Sequence, residues 1–190
     1  MRTRNAILVS LLLSCGLALA IGGAHGESPN LGKPITPADL AEWDIDIEPS
    51  GAGLPPGSGT AEQGAAIFAD SCALCHGDGG KGGVFLGKGA PAAPALVEDK
   101  KINGIDESTT TIANYWPYAT TLFDYIRRAM PWTQPRSLSD TDVYALTAYI
   151  LAQNKLIDAR LTVDAQTLPK VQMPNRDGFI PRFPERMPGK

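Results

Sequence analysis

The sequence is poor in cysteine and histidine, the two residue types that most often bind transition metals. It has three cysteines and two histidines in 190 residues. A zinc site with four Cys or His ligands would need nearly all of them in one place. Basic residues are not in excess either, because 17 Lys and Arg stand against 20 Asp and Glu, a net charge of -3. This balance argues against a nucleic-acid-binding protein, which typically carries a basic surface.

Long apolar runs are missing outside the N-terminus. Residues 6–21 form one apolar run, which follows Arg2 and Arg4 and precedes several small residues. This arrangement is typical of a secretory signal peptide. We therefore predict a cleaved signal over residues 1–24, a periplasmic protein, and no transmembrane anchor after its removal. Two alternatives stay open: a retained membrane anchor and lipid attachment at Cys15.

The two cysteines outside the predicted signal, Cys72 and Cys75, lie three positions apart and are followed directly by His76. Covalent haem attachment requires this arrangement, because each sulfur adds to one haem vinyl group and the histidine takes one axial position on the iron. A thioredoxin-like redox pair does not need His76, and a zinc site needs further Cys or His ligands that the chain lacks. With one such motif, the sequence predicts one covalently bound haem c.

The second axial position can be filled by Met130, Met173 or Met187, or left open. Met130 lies between two predicted helices and is followed by Pro131, so a loop there can return to the opposite haem face. Thioether ligation also suits an electron carrier, because it stabilises ferrous iron. We therefore predict His76 and Met130 as the iron ligands. Catalysis at an open iron site stays possible only if Met130 is not a ligand.

Further residues are predicted to contact the haem or its ligands. Pro94 has no backbone N–H but offers a carbonyl, and a metal-bound histidine usually donates its second ring N–H to such an acceptor. We therefore predict a hydrogen bond from His76 to Pro94. The residues that flank Met130, where haem propionates need donors, are Arg127, Arg128, Tyr118 and Trp132. A solvated helix end would explain the arginine pair equally well.

Capping residues and apolar periodicity predict three main helices and place the segment boundaries. The helices run over 61–71, with a capping box from Thr60, over 119–130, capped by Thr121, and from Ser139 to about residue 154; a short helix is predicted after Thr36. Gly64 inside the first helix indicates a close helix crossing, where Tyr149 can pack. The fold is predicted to be all-α, with an N-terminal extension over 25–59, a haem domain over 60–154 and a C-terminal extension over 155–190. Because prolines recur there without a sustained period, we expect the C-terminal extension to be irregular, or ordered only against something else.

Residues 60–154 resemble a class I cytochrome c. The resemblance rests on Gly64 and Phe68 ahead of the Cys72, Cys75 and His76 motif, and on residues 93–96 and 130–131, with a final helix near residue 154. The flanks are similar to the cytochrome subunit of sulfane dehydrogenase, part of the thiosulfate-oxidising Sox system, and to those of sulfite dehydrogenases. The segments that carry this second resemblance are 42–47, 53–59, 115–125 and 173–179.

The resemblance implies a single-haem electron-transfer subunit that is not catalytic on its own. It would accept electrons from a molybdenum-cofactor dehydrogenase subunit that oxidises a sulfane or sulfite substrate. A downstream periplasmic cytochrome or an oxidase would take the electrons on. The alternative is a free periplasmic shuttle that serves other dehydrogenases and an oxidase. Apolar residues in both flanks further predict that the flanks lie across the molybdenum-cofactor subunit: Trp43, Ile45, Ile47, Met173, Phe179, Ile180 and Phe183.

Overall fold

The computed structural model describes residues 31–83, 92–98 and 110–180. The chain divides into two compact units, Met1–Trp43 and Asp44–Lys190. In the first unit, helix α1 (Pro37–Ala41) begins as predicted, because the Thr36 side chain accepts a hydrogen bond from Asp39 N at 3.2 Å. Across the described ranges, no helix is both long enough and apolar enough to cross a membrane.

The second unit is mostly helical, which confirms the predicted all-α class. Its elements, in order, are β1 (Ser58–Gly59), α2 (Ala61–Ser71), α3 (Ala73–His76), a 3-10 turn (Asp78–Gly80), α4 (Ile112–Tyr115), α5 (Ala119–Ala129), α6 (Asp140–Gln153), β2 (Val163–Asp164) and a second 3-10 turn (Leu168–Lys170). The two short strands pair antiparallel, with Ser58 opposite Asp164 and Gly59 opposite Val163. This pairing joins the segment before α2 to the segment after α6.

Side-chain caps fix the starts of α2 and α6, as the sequence predicts. Thr60 N donates to Gln63 Oε1 at 2.9 Å, and Asp142 N donates to the Ser139 hydroxyl at 3.2 Å. The predicted cap of α5 is wrong. Thr121 lies inside the first turn of that helix, and the cap is Tyr118, which makes no side-chain capping bond. The helix begins at Ala119, as predicted, directly after Tyr118, whose φ of -133 and ψ of 136 are extended.

Helices α2 and α6 cross closely at Gly64, which confirms the predicted crossing. A Cβ at Gly64 would overlap the Ala145 carbonyl oxygen and would lie 2.7 Å from Tyr149 Cβ. The Tyr149 ring packs on Phe68, with ring centroids 5.1 Å apart. Because even one methyl group would collide with backbone atoms, glycine is the residue that permits this approach.

Helix α6 is buried on nearly all sides and forms the centre of the unit. Its Tyr144 ring is 4.4 Å from that of Phe123, and its hydroxyl donates to Pro55 O at 2.8 Å. Burial raises the pKa of Tyr144 to about 12. The sequence predicted apolar residues on one face of this helix, but the opposite face is buried as well. The residues before α2 and after α6 cover that face.

Residues 163–173 are largely irregular, as expected, apart from β2 and the second 3-10 turn. They belong to the hydrophobic core, so the alternative of order only against something else is wrong for this stretch. Four of its side chains are buried in the core cluster: Val163, Leu168, Val171 and Met173. A turn at Asp164 directs the chain back, since its carboxylate accepts from Gln166 N at 2.9 Å and from Thr167 N at 2.8 Å. Spaced apolar residues in an irregular segment can fill a core without helical or strand periodicity, so pattern analysis does not detect them.

Candidate functional site

The two cysteines and the histidine of the motif lie on one helical turn. Cys72 ends α2 and begins α3, where its φ of -122 bends the chain. Both Cys75 N and His76 N donate to Cys72 O, at 3.1 and 2.9 Å. Residues three apart on a helix face the same side. The turn therefore presents both thiols together.

Both thiols are free and half-buried. Burial raises the pKa of Cys72 to about 11, with smaller contributions from Cys75 and Asp70. The Cys72 thiol is therefore protonated at neutral pH, which keeps it from acting as a reactive thiolate. The Cys72 thiol therefore does not match the attacking cysteine of a redox pair, which needs a lowered pKa.

The His76 ring meets the carbonyl that the sequence predicts. His76 Nδ1 lies 3.1 Å from Pro94 O. A carbonyl oxygen can only accept, so Nδ1 carries the proton in this contact and Nε2 is left with its lone pair. This is the tautomer that an iron-binding imidazole needs.

The segment of residues 92–98, which contains Pro94, is held by contacts from three parts of the chain. Ala93 N donates to Cys75 O at 3.1 Å, and Leu96 N donates to Gly80 O at 2.7 Å. From the end of α6, Asn154 Nδ2 donates to Leu96 O at 3.0 Å. Sequence reasoning missed Asn154 as part of this site. Its position as the residue that ends α6 was the available signal, since asparagine is favoured at helix ends.

Met130, Arg127 and Trp132 share the C-terminal end of α5. Met130 is half-buried against the core, and its N–H donates to Ile126 O at 3.0 Å. Arg127 Nε donates to Asp140 Oδ1 at 2.8 Å. Trp132 is 68% exposed. The three predicted residues thus lie together at one helix end, and Arg127 is already engaged with a carboxylate of α6.

Arg128, the second arginine of the pair, is bound on the other side of the helix end. Its Nη2 group donates to Asp124 Oδ1 at 2.9 Å and, at 3.3 Å each, to Ile45 O and Asp46 Oδ1. These contacts hold residues 45–46 against α5. The other methionines named as candidate ligands differ in position: Met173 is 3% exposed in the core, and Met187 lies outside the described residues.

The donor set fits a covalently bound haem. It combines two free thiols on one helical turn with an imidazole whose Nδ1 already has an acceptor. A thioether is available at the end of α5. Within the part of the chain that the structure describes, no group of three or more His, Cys, Asp or Glu side chains could hold a metal ion.

The chain is similar to a protein family, to two curated relatives and to a solved structure. The sequence profile of the cytochrome c family matches residues 61–154. The chain is 33% identical, over 129 residues, to the cbb3-type cytochrome c oxidase subunit FixP of Azorhizobium caulinodans, which covers 67% of this chain and 39% of that protein. It is 30% identical, over 110 residues, to a thiosulfate dehydrogenase of Stutzerimonas stutzeri, covering 56% of this chain and 32% of that protein. The chain thus spans less than half the length of these curated relatives.

The solved structure is that of the sulfane dehydrogenase SoxCD from Paracoccus pantotrophus. The match has a TM-score of 0.71 and 34% sequence identity, and it covers 84% of this chain and 75% of that chain. The family profile covers only residues 61–154, about half of the sequence. The likeness to the solved structure therefore includes residues in the flanks as well as the helices around the motif.

Proposed function

This chain belongs to the cytochrome c family, and we propose that it is a single-haem electron-transfer subunit that accepts electrons from a molybdenum-cofactor sulfur dehydrogenase subunit. The observation that carries the proposal is the 34% identity to a chain of sulfane dehydrogenase SoxCD over 84% of this chain. A general electron carrier would be expected to share the helices around the haem. Similarity to the solved structure in the flanks as well favours the interpretation that this chain is a subunit of a particular complex.

The proposed haem is held by residues of the site just described. Cys72 and Cys75 would bind it covalently, and His76 and Met130 would be the ligands of its iron. When bound, the haem supplies one-electron chemistry, taking up and releasing a single electron at a time. His76 Nδ1 donates its proton in a hydrogen bond to Pro94 O, 3.1 Å away. The protein's own part is to keep these ligands in place during electron transfer, and the sulfur chemistry belongs to the partner.

Exposed apolar side chains support a docking role for the end of the described chain. Ile180 is 93% exposed and Phe179 46%. Phe179 packs edge-to-face on Tyr115, with ring centroids 5.3 Å apart, and Asn175 Nδ2 donates to Tyr115 O at 2.6 Å. These contacts present the two apolar residues on a fixed support. We propose that they contact the molybdenum-cofactor subunit.

The wider docking prediction needs revision at two residues, because Ile47 packs against the core and Met173 lies within it. Met173 was expected to lie across the partner, but its side chain is used in the core. Trp43 is 82% exposed and stays a candidate for the N-terminal contact, and Phe183 lies outside the described residues.

We propose that the protein is located in the periplasm after removal of its signal peptide. The proposed electron acceptor is a downstream periplasmic cytochrome or an oxidase.

Co-purification with a substrate-driven haem reduction assay tests the proposal. The tagged full chain is isolated from its native host, and the eluate is measured for molybdenum and for haem reduction after addition of a sulfane or sulfite substrate. We expect molybdenum to co-elute and the haem to be reduced. The double variant Phe179→Ser with Ile180→Ser should lose most of the bound molybdenum and keep its haem spectrum.

Leu161→Ser is the matched control, because Leu161 is an apolar residue of the same flank at 36% exposure. It should behave like the unaltered chain. If the eluate contains no molybdenum, the result would favour the free periplasmic shuttle over the dedicated subunit. Equal reduction of the haem in the unaltered chain, the double variant and Leu161→Ser would favour the shuttle as well.

A further inference from the structure

Asn154 links the end of helix α6 to the segment of residues 92–98. Its Oδ1 accepts from Glu98 N at 3.2 Å, and its Nδ2 donates to Leu96 O at 3.0 Å and to Ile150 O at 2.9 Å. The side chain thus binds an N–H and a C=O of the segment at the same time. An amide side chain can do this because it carries an acceptor oxygen and a donor nitrogen, and asparagine is the shorter of the two amide residues.

The segment needs such a link because Pro94 cannot hold itself in place. Pro94 is exposed and, as proline, has no N–H to donate. Its carbonyl position is set by its neighbours: Ala93 N bonds to Cys75 O at 3.1 Å, and Leu96 N and Val97 N bond to Gly80 O at 2.7 and 3.1 Å. These bonds attach the segment to the chain just after the motif. Asn154 adds the attachment to the large buried helix.

We propose that Asn154 is a positioning residue for the His76 ring. It fixes Leu96 and Glu98, these fix Pro94, and the Pro94 carbonyl orients the imidazole through its Nδ1 proton. The proposal rests on the ligand role of His76 stated above. A carbonyl that accepts this proton makes the imidazole a stronger donor to a bound metal. Loss of the link should therefore weaken the donor and favour ferrous iron.

The test is Asn154→Ala in the full-length holoprotein. We expect the exchange rate of the His76 Nδ1 proton, followed by NMR in the reduced state, to rise at least tenfold. We also expect the midpoint potential to shift upward. Both readouts concern the histidine ring, and neither requires the partner subunit.

Ser139→Ala is the matched control, because it removes the cap at the opposite end of the same helix, where Asp142 N donates to Ser139 Oγ at 3.2 Å. It should lower the denaturation midpoint and leave the proton exchange and the potential unchanged. If both variants change the ring readouts equally, Asn154 acts only through helix stability and the proposal is wrong. Asn154→Asp provides a milder variant that keeps the acceptor for Glu98 N and removes the donor to Leu96 O. It should raise the proton-exchange rate as Asn154→Ala does, and only this readout is compared, because the added carboxylate charge itself favours ferric iron.

The outcomes separate this inference from the proposed function. If the mass of the purified chain equals that of the polypeptide alone, no haem is covalently bound and the ligand assignment fails. If the haem is present and Asn154→Ala leaves the proton exchange and the potential as they were, only the positioning role fails.

Discussion

The two sides from which the iron would be bound are built differently. The histidine side, residues 72–83 and 92–98, is tied together by backbone hydrogen bonds that join Cys75 to Ala93 and Gly80 to Leu96, and by the Asn154 side chain. The methionine side, residues 127–134, has the helix-end bond of Met130 and ion pairs at its two arginines. The histidine side is therefore fixed mainly by backbone hydrogen bonds, together with one side chain from α6. The methionine side is fixed mainly by the end of one helix and by arginine side chains that reach Asp140 and residues 45–46.

This difference predicts distinct results for the methionines. Met130→Ala should abolish the weak near-infrared sulfur-to-iron absorption band of the oxidised protein and have a modest effect on stability, because the side chain is half-buried. Met173→Ala should keep the band and lower the free energy of unfolding by about 2–5 kcal/mol, as expected for a fully buried side chain. Optical spectra measure the absorption band of each variant, and denaturant titrations measure its free energy of unfolding.

A retained band in Met130→Ala would move the ligand role to another methionine. Met173→Ala and Met187→Ala would then show which one by losing the band. A loss of the band in Met173→Ala alone would contradict the assignment of Met173 to the core.

Gly83→Ala tests the histidine side. A Cβ at Gly83 would overlap the Cys75 carbonyl oxygen, which already accepts from Ala93 N. We expect the free energy of unfolding to fall by about 1–3 kcal/mol, as overpacking usually costs, together with a lower yield of holoprotein. Urea titration and haem absorbance per protein mass measure these two quantities.

Gly79→Ala serves as the comparison for Gly83→Ala. Gly79 has a positive φ of 64 but no atom within 4 Å of its Cβ position, so its replacement tests backbone strain alone, about 1 kcal/mol. An equal or larger loss in Gly79→Ala would show that steric closeness at Gly83 is not what holds the histidine side.

The smallest expected effect concerns the arginines of the methionine side. Arg127→Gln should lower the midpoint potential, because it removes a positive charge predicted to face a haem propionate and so favours ferric iron. Arg128→Gln should leave the potential unchanged, since the Arg128 side chain is bound to Asp124 and to residues 45–46. Each change should alter the free energy of unfolding by up to about 1 kcal/mol. If neither variant changes the potential, the propionate contact is wrong.

Local features of the chain could be predicted from the sequence. Thr60 and Ser139 form capping boxes with residues three positions on, so their effect is visible within one turn. The crossing at Gly64 was also predictable, because a glycine inside a helix indicates that something packs closely there. The pairing of His76 with Pro94 followed from the chemistry of a metal-bound imidazole.

Features that join distant positions could not be predicted in this way. The role of Asn154 depends on Leu96 and Glu98, which are 58 and 56 positions away. The burial of residues 163–173 depends on side chains of α5 and α6, and nothing in the spacing of the tail shows it. Thr121 was predicted as the cap of α5, but the cap is Tyr118, which makes no side-chain capping bond and so leaves no local sequence signal.

The pairing of Ser58 with Asp164 has a consequence for the order of events during synthesis. A chain is made from its N-terminus, so the turn that carries Cys72 and Cys75 exists long before residues 163–173 can complete the core. Pairing Ser58 with Asp164 also closes a long loop. The entropy cost of closing it is offset only when residues 163–173 make their contacts with the core. We therefore expect an interval in which both thiols are reachable, although they are half-buried once folding ends. That interval is the natural time for a bulky group to be joined to them.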